Sequence, residues 1–484
     1  MTSNSLPDAA SDASQDAAPN GAPAVNTPLP PAAPQWRQGE LIDLTISDLN
    51  HNGEGVGRWD GRVVFVGDTA VGDRILARLV RVKPTYAYAK LFDVLDASPQ
   101  RVRPRCIVAD KCGGCQWQHV DYAFQQTVKR NLVVQDLERI GGFSHPPVDP
   151  LLPVAHPLAY RNKATYPLGR SPQGQVQAGY YQKGSHSLIN LNQCPIQDQR
   201  LNPLLADIKH DLQTRGWSIY KESEHRGKLK YLSLRIGQRT GEQLLTLVST
   251  GGGLEGLTEQ AEAWMARYPD LVGVLLNLNP KRGNAIFGSE TQLVAGQGYL
   301  REEFAGLEFR IHPTTFFQVN TEQAEALLNV IEAELNLTGT ETVLDAYAGI
   351  GTLTLPLAKR AKEAIALEVQ PEAVVQAKIN AEINHIENVA FHTGAVETLL
   401  PTLEVHPDVV VLDPPRKGCD PAVLQTLLLT QPERIVYMSC NPSTLARDLK
   451  ILCAEGHYQL TRVQPADFFP QTAHVECAAF LVRL

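Results

Sequence analysis

No run in this 484-residue chain approaches the roughly 18 consecutive apolar residues needed to span a bilayer, which excludes a helical membrane protein. Its first 35 residues contain no Lys or Arg. A secretory signal needs a basic start and an apolar centre, and an organelle transit peptide needs Arg, so neither fits. Those residues hold three Asp, seven Pro and nine Ala instead, a composition that predicts a disordered tail over 1–35. A positive net charge is also missing. The formal sum is −8, which on its face argues against a polyanionic partner. The chain is expected in the cytoplasm, as a monomer without a membrane partner. It is too long for one core, and its length suggests about three domains.

The charge is unevenly spread. Between Arg74 and Arg105 there are eight Lys or Arg and two acids, a local balance of +6. Phosphate contact requires such a patch whatever the global sum. The run overlaps a segment that reads as a small β-barrel. Leu41 to Ile46 alternates, Gly53 to Gly57 reads as a turn, and Arg62 to Val66, Ile75 to Val82 and Ala87 to Leu95 follow as strands. Five short strands in this span predict an OB-like barrel, a scaffold that often binds nucleic acid. Tyr86 and Tyr88 are available for stacking on bases.

Cysteine is sparse and grouped. Cys106, Cys112 and Cys115 form a C-x5-C-x2-C cluster, and Cys194-Pro195 follows at a distance. A reducing compartment disfavours disulfides, and an all-thiolate set suits zinc or an iron–sulfur cluster. The three-plus-one spacing and the Cys-Pro ending favour a 4Fe–4S cluster. Structural zinc more often uses two CxxC pairs.

Residues 116–305 say less. Strands are expected at Ala164 to Leu168, Leu229 to Ile236, Gln243 to Ser249 and Val272 to Leu278, with a helix from Glu255 to Arg267. Basic turns at Tyr160-Arg161-Asn162-Lys163 and Asn279 to Asn284 are of a kind that touches RNA. Beyond Leu307 the pattern sharpens. Ala324, Leu327, Leu328, Ile331 and Leu335 mark an amphipathic helix, with Asn320 as N-cap and Gln323 at the reciprocal capping-box position. A strand at Thr342 to Asp345 runs into a glycine-containing loop, Ala346 to Gly351, and Glu368 closes the next strand. That is a Rossmann-like opening, in which glycines admit a cofactor and the acid grips ribose hydroxyls.

Val409 to Leu412 then runs into Asp413-Pro414-Pro415-Arg416-Lys417-Gly418, which a dinucleotide dehydrogenase does not need. Ile435 to Met438 reads as a buried strand that delivers Cys440 to its carboxyl end, beside Asn441 and a helix-starting Pro-Ser-Thr. A thiol at that end of an open α/β sheet is a candidate nucleophile. Asp467 to Glu476 leads into a last strand, Cys477 to Val482, which places the Glu476 carboxylate toward the same crevice.

These motifs resemble the RNA uracil-C5 methyltransferase family, and most of all its TRAM-domain, iron–sulfur branch acting on 23S rRNA. The resemblance covers nearly everything after residue 36. It implies an α/β fold whose parts are a TRAM barrel over 36–97, a central α+β iron–sulfur domain over 98–305 and a Rossmann-like class I methyltransferase domain over 306–484. By resemblance Cys440 is the nucleophile and Glu476 the base. Gln318, Tyr347, Glu368 and Asp413 line the S-adenosyl-L-methionine and base pocket, and Cys106, Cys112, Cys115 and Cys194 hold the 4Fe–4S cluster. Two positions depart from the pattern: Ala348 stands where the family often has Cys, and Ala466 where a larger apolar residue is usual. A tRNA-directed enzyme of the same family is the alternative, and an inactive iron–sulfur RNA sensor is the reading from another class. Chemistry asks for the same pair of residues. Carbon 5 of uracil is too poor a nucleophile to take a methyl from a sulfonium unless a thiolate first adds to carbon 6, and a base must then remove the carbon-5 proton.

Overall fold

The computed structural model describes residues 36–484, so the tail expected to be disordered lies outside the described residues. Strands β1 (Leu41–Leu49), β2 (Gly55–Trp59), β3 (Arg62–Val66), β4 (Arg74–Val82) and β5 (Tyr86–Asp96) close into a barrel in the order β1-β2-β3-β5-β4. Alternation drives it. Ile42, Leu44 and Ile46 of β1 point inward with Ile75, Ala77 and Leu79 of β4, while their neighbours face solvent. One expectation needs correcting. The glycine-rich stretch read as a turn is half strand, because Gly55 and Gly57 pair with β3.

Helix α1 (Tyr122–Asp136) follows, capped by the Asp121 carboxylate, and runs into a single π turn at Leu137–Gly141. A seven-stranded sheet comes next, built from β6 (Lys163–Arg170), β7 (Val176–Tyr181), β8 (Leu188–Asn190), β9 (Leu229–Ile236), β10 (Gln243–Ser249), β11 (Leu271–Leu278) and β12 (Glu290–Gly296). Its order is β12-β11-β10-β9-β6-β7-β8. Helices α2 (Leu201–Arg215) and α3 (Leu257–Arg267) bury their apolar residues against one face, where Tyr166, Leu232, Leu234 and Trp264 share a core. The opposite face carries Thr165, Pro167 and Tyr231.

A hairpin of β13 (Leu300–Phe304) and β14 (Leu307–Ile311) leads to α4 (Thr321–Leu335). Asn320 caps this helix as expected, accepting from Gln323 N at 3.2 Å. The reciprocal half of the capping box does not form, because Gln323 Nε2 donates to Leu152 O instead, 2.7 Å away. A partly buried tertiary acceptor has displaced the local one.

The last sheet contains β15 (Thr342–Asp345), β16 (Glu363–Glu368), β17 (Val389–Thr393), β18 (Val409–Leu412), β19 (Arg434–Ser439), β20 (Tyr458–Ala466) and β21 (Glu476–Arg483). Its order is β17-β16-β15-β18-β19-β21-β20, parallel through β19 and antiparallel at β21. Chain order reverses between β15 and β18, which opens a crevice at the carboxyl ends of those strands. Helices α5 (Thr354–Ala358), α6 (Pro371–Ile383), α7 (Val396–Leu399), α8 (Pro421–Thr430) and α9 (Pro442–Leu452) complete the unit. No helix among the described residues is long and apolar enough to cross a membrane.

Helix α1 packs on this last unit. Val133 and Leu137 share a core with Leu445 and Leu449 of α9. Beneath them Lys129 and Asp467 form an ion pair of 2.6 Å with both side chains fully buried, and Lys129 Nζ also donates to Phe469 O at 3.0 Å. Removing one partner of such a pair strands the other charge in a dry interior. Lys129→Met is therefore expected to cost about 3–5 kcal/mol in chemical denaturation. The double variant Lys129→Met/Asp467→Asn should recover much of that loss. A Lys129→Met protein as stable as the parent would show that the pair does not hold the two segments together.

Candidate active site

The crevice is assembled from strand ends. Strand β19 stops at Ser439 and α9 starts at Pro442, so Cys440 sits in the two-residue gap, followed by the N-cap Asn441. Its opposite number is fixed by register. Ser439 pairs with Cys477 across the antiparallel β19–β21 ladder, which brings Cys440 and Glu476 to the same end. Asp413 directly follows β18, the strand on the other side of β19.

These groups are close enough to act on one another electrostatically. Burial pushes the Cys440 thiol up, and Glu476 adds to the rise, while the Arg416 guanidinium opposes both. Glu476, 4% exposed, is held well above the carboxylate range by burial and then by Asp413, with Arg416 again opposing. Asp413 is pushed up to about 7 by burial and by Asp345. Asp345 is itself raised to about 6 by burial, although Thr354 Oγ1 donates to it at 2.6 Å. One buried crevice thus concentrates carboxyl groups and a thiol against a single guanidinium. A set with that surplus of potential negative charge fits a cationic ligand such as a sulfonium.

The expected cofactor residues sit on turns and strand ends of the same unit. Glu368 Oε2 accepts from Gly349 N at 2.9 Å, and its other oxygen accepts from Gln370 N, so the acid is braced against the glycine loop. Gln318 and Asp413 line one small cavity with Phe317, Leu353, Met438 and Phe468. The Gln318 carbonyl accepts from Asn162 Nδ2 at 2.9 Å, which ties its turn to β6. Tyr347 follows the β15 end, and its hydroxyl lies 3.9 Å from the Cys419 thiol. Cys419 is buried, with its thiol pushed up to about 11 by desolvation, so it is packed under the loop.

Arg416 escaped the sequence reading as a functional group, although it stands inside the quoted Asp-Pro-Pro motif. Its backbone carbonyl accepts from Asn441 Nδ2 at 3.1 Å and Thr444 Oγ1 at 3.3 Å, clamping the Asp413 loop onto the start of α9. Gly418 completes the clamp with φ +80°, where a Cβ would fall 2.6 Å from Asp448 Oδ2. Asp448 was missed as well. It accepts from Cys419 N at 2.9 Å and from Tyr437 Oη at 2.6 Å, locking the loop to β19 from below. Side chains that act on a motif from distant sequence leave no local signal.

The four N-terminal cysteines form a separate group. Cys112 and Cys194 are buried and Cys106 and Cys115 half-buried, all as free thiols. They are neighbours. Cys115 is pushed up to about 12 chiefly by burial, with Cys194, Cys112 and Cys106 each adding to the rise. Among the described residues, no three His, Cys, Asp or Glu side chains are drawn closely enough to hold a single metal ion.

Comparison with known proteins agrees with this architecture. Residues 35–92 match the TRAM domain, and residues 287–484 match the family described as tRNA (Uracil-5-)-methyltransferase. An uncharacterized RNA methyltransferase of Nostoc sp. is 64% identical over 92% of this chain and 97% of its own length. One of Synechocystis sp. is 60% identical over 93% and 97%. The crystal structure of Pyrococcus abyssi tRNA (uracil-54, C5)-methyltransferase in complex with S-adenosyl-L-homocysteine superposes with a TM-score of 0.73 at 27% identity, covering 91% of this chain and all of that one. Barrel, switch-point crevice and relatives coincide, and the chain belongs to the S-adenosylmethionine-dependent RNA uracil-5-methyltransferase family.

Proposed function

We propose that Cys440 and Glu476 carry the methylation of uracil carbon 5 in RNA, with Gln318, Tyr347, Glu368 and Asp413 holding the methyl donor. The observation that supports this is the convergence of Cys440, Glu476, Asp413 and Arg416 at one end of the parallel sheet. The Cys440 thiolate adds to carbon 6 of the target, and the 5,6 double-bond electrons move onto the ring carbonyl as an enolate. S-adenosylmethionine, when bound, supplies the methyl group that carbon 5 then takes. Glu476 removes the remaining carbon-5 proton, and the Cys440–carbon 6 bond breaks to restore the ring and free the thiolate. Arg416 favours the ionised forms of both Cys440 and Glu476.

The target we infer is a uridine of 23S rRNA. The barrel and the four N-terminal cysteines support that branch. The tRNA reading is favoured by the substrate of the Pyrococcus abyssi relative. Mapping methyluridines in RNA from cells lacking the protein separates the two, because the missing mark names the RNA.

Cys106, Cys112, Cys115 and Cys194 would hold a 4Fe–4S cluster. The donor set fits: four neighbouring thiols, of which Cys112, Cys115 and Cys194 resist ionisation chiefly through burial, suit a multiply charged cation that would hold them as thiolates. Such a group would pin the 106–115 loop to Cys194. Anaerobically purified protein should carry about four irons per chain and lose them in Cys194→Ala. Stoichiometric zinc without iron would assign the site to zinc.

Two variants divide the catalytic labour. Cys440→Ala should abolish methylation and any covalent RNA adduct. Glu476→Gln keeps the shape and removes the basicity, so a methylated adduct should form and its release should slow by about 100- to 10,000-fold. Normal turnover by Glu476→Gln on a denaturing gel would give the base role to another group.

The pH dependence carries a sign. A thiol held up by burial ionises late, so adduct formation should rise with pH and level off only above the ordinary thiol range. Arg416→Gln removes the opposing cation, and the profile should move to still higher pH. A profile unmoved by Arg416→Gln would remove Arg416 from thiolate stabilisation.

A further inference from the structure

A cavity of ≈460 Å³ lies on the face of the central sheet that α2 and α3 leave uncovered. Its floor is set by strand alternation. Tyr166 and Leu168 turn into the helical core, so Pro167 and Gly169 turn out, and the β6–β9 register puts Tyr231 opposite Pro167. Tyr181 and His186, stacked with centroids 5.2 Å apart and an interplanar angle of 20°, form one wall. Tyr220 forms another, with Lys230 Nζ 5.1 Å from its ring centre.

The charge of this cavity is cationic on balance. Arg170 and Lys230 line it, and both donate to backbone carbonyls: Arg170 to Gly174 O and Trp217 O, Lys230 to Asn279 O and Lys281 O. Lys221 lies at the edge and is paired with Glu224. Glu222 is the lining carboxylate, and it faces His186 at 3.5 Å. The basic turn Lys281-Arg282-Gly283 contributes Gly283 to the rim, with both basic side chains exposed. Flat rings with cations around them are what an unpaired nucleobase and its phosphates require, because every base has a face to stack.

Strand β6 also fixes where the cavity lies. Asn162, one residue before the strand, bonds Val319 O through its backbone N–H at 2.9 Å and Gln318 O through its side chain. Five to seven residues of extended strand separate Asn162 from Pro167 and Gly169, a span of about 17–24 Å. The cavity therefore stands at a rigid offset from the Gln318 turn.

We propose that this cavity is a second recognition point for the RNA substrate, which takes an unpaired base by stacking while the target uridine occupies the Cys440 crevice. The proposal rests on the RNA uracil-methylation reading and adds a specificity element to it. Its test uses the full chain with two RNA probes. Binding is measured with a short fluorescent oligouridine, and methylation with bulk RNA from cells lacking the enzyme. Tyr181→Ala and Tyr220→Ala should each weaken oligouridine binding by about 5- to 150-fold, the effect of losing one stacked base. They should raise KM for bulk RNA comparably, leaving kcat and S-adenosylhomocysteine binding unchanged. Tyr181→Trp, which keeps a stacking face, should retain binding. Unchanged oligouridine affinity and KM in both alanine variants would overturn the proposal, as would equal loss in Tyr181→Trp with the fold intact. Weakened binding in a protein that makes no methyluridine at all would uphold the cavity and refute the methylation reading instead.

Discussion

The register between β19 and β21 is the constraint on which the candidate site depends. In an antiparallel ladder a slip of one residue sends every side chain to the other face. With Ser439 opposite Cys477, the thiol one residue beyond the end of β19 comes to the same end as the carboxylate one residue before the first position of β21 that pairs with β19. Nothing local to either motif produces that meeting. It comes from a full ladder running from Arg434↔Val482 to Ser439↔Cys477, flanked by β18 on one side and β20 on the other. The apolar residues of both strands hold the register because each belongs to one of two cores. Val436, Met438, Ala478 and Phe480 face one, and Ile435, Tyr437, Cys477, Ala479 and Leu481 face the other.

Placing acids at such a point has an electrostatic consequence. Asp345, Asp413 and Glu476 are all buried or lie at buried strand ends, and each is raised by desolvation before any neighbour acts. Arg416 is the cation that opposes this at Glu476 and Cys440, and its loop is clamped to α9 through its own carbonyl. In the protein alone these raised carboxyl groups and the thiol tend to keep their protons, which limits the negative charge in the crevice. A positively charged ligand placed there would favour the ionised carboxyl groups and the thiolate together.

Much of this was legible in the sequence where a short period governs the structure. Strands at Leu229–Ile236, Gln243–Ser249, Thr342–Asp345 and Val409–Leu412 fall where alternation or apolar runs place them. The Asn320 cap reads from its residue type alone. The Gly55–Trp59 strand did not, because glycines spell a turn locally while the barrel closes around them. Helix α2 carries Pro203 and a buried Lys209, a weak helical signal that its tertiary packing overrides. Helix α1 hides Gln125 and Lys129 on its inner face, since their partners lie more than 330 residues away at Gln471 and Asp467. The cysteine spacing was visible, whereas the chemistry it would hold follows from donor type and not from geometry.

Those distant partners explain how a barrel can matter to a thiol. His51, in the turn after β1, lies 3.2 Å from Asp136 Oδ1 at the end of α1. The other oxygen of Asp136 accepts from Ser443 Oγ at 2.6 Å, and Ser443 stands in the first turn of α9, three residues past Cys440. Lower on the same helix, Lys129 grips Asp467 and the Phe469 carbonyl at the head of the segment that leads to Glu476. Helix α1 therefore holds both halves of the candidate pair, one through a shared carboxylate and one through a buried ion pair. Those contacts are directional and, at Lys129, dry, so they fix the helix in one position against both supports. The barrel touches the chemistry through this helix, and the thiol and the carboxylate keep their places because one rigid element is bonded to the supports of each.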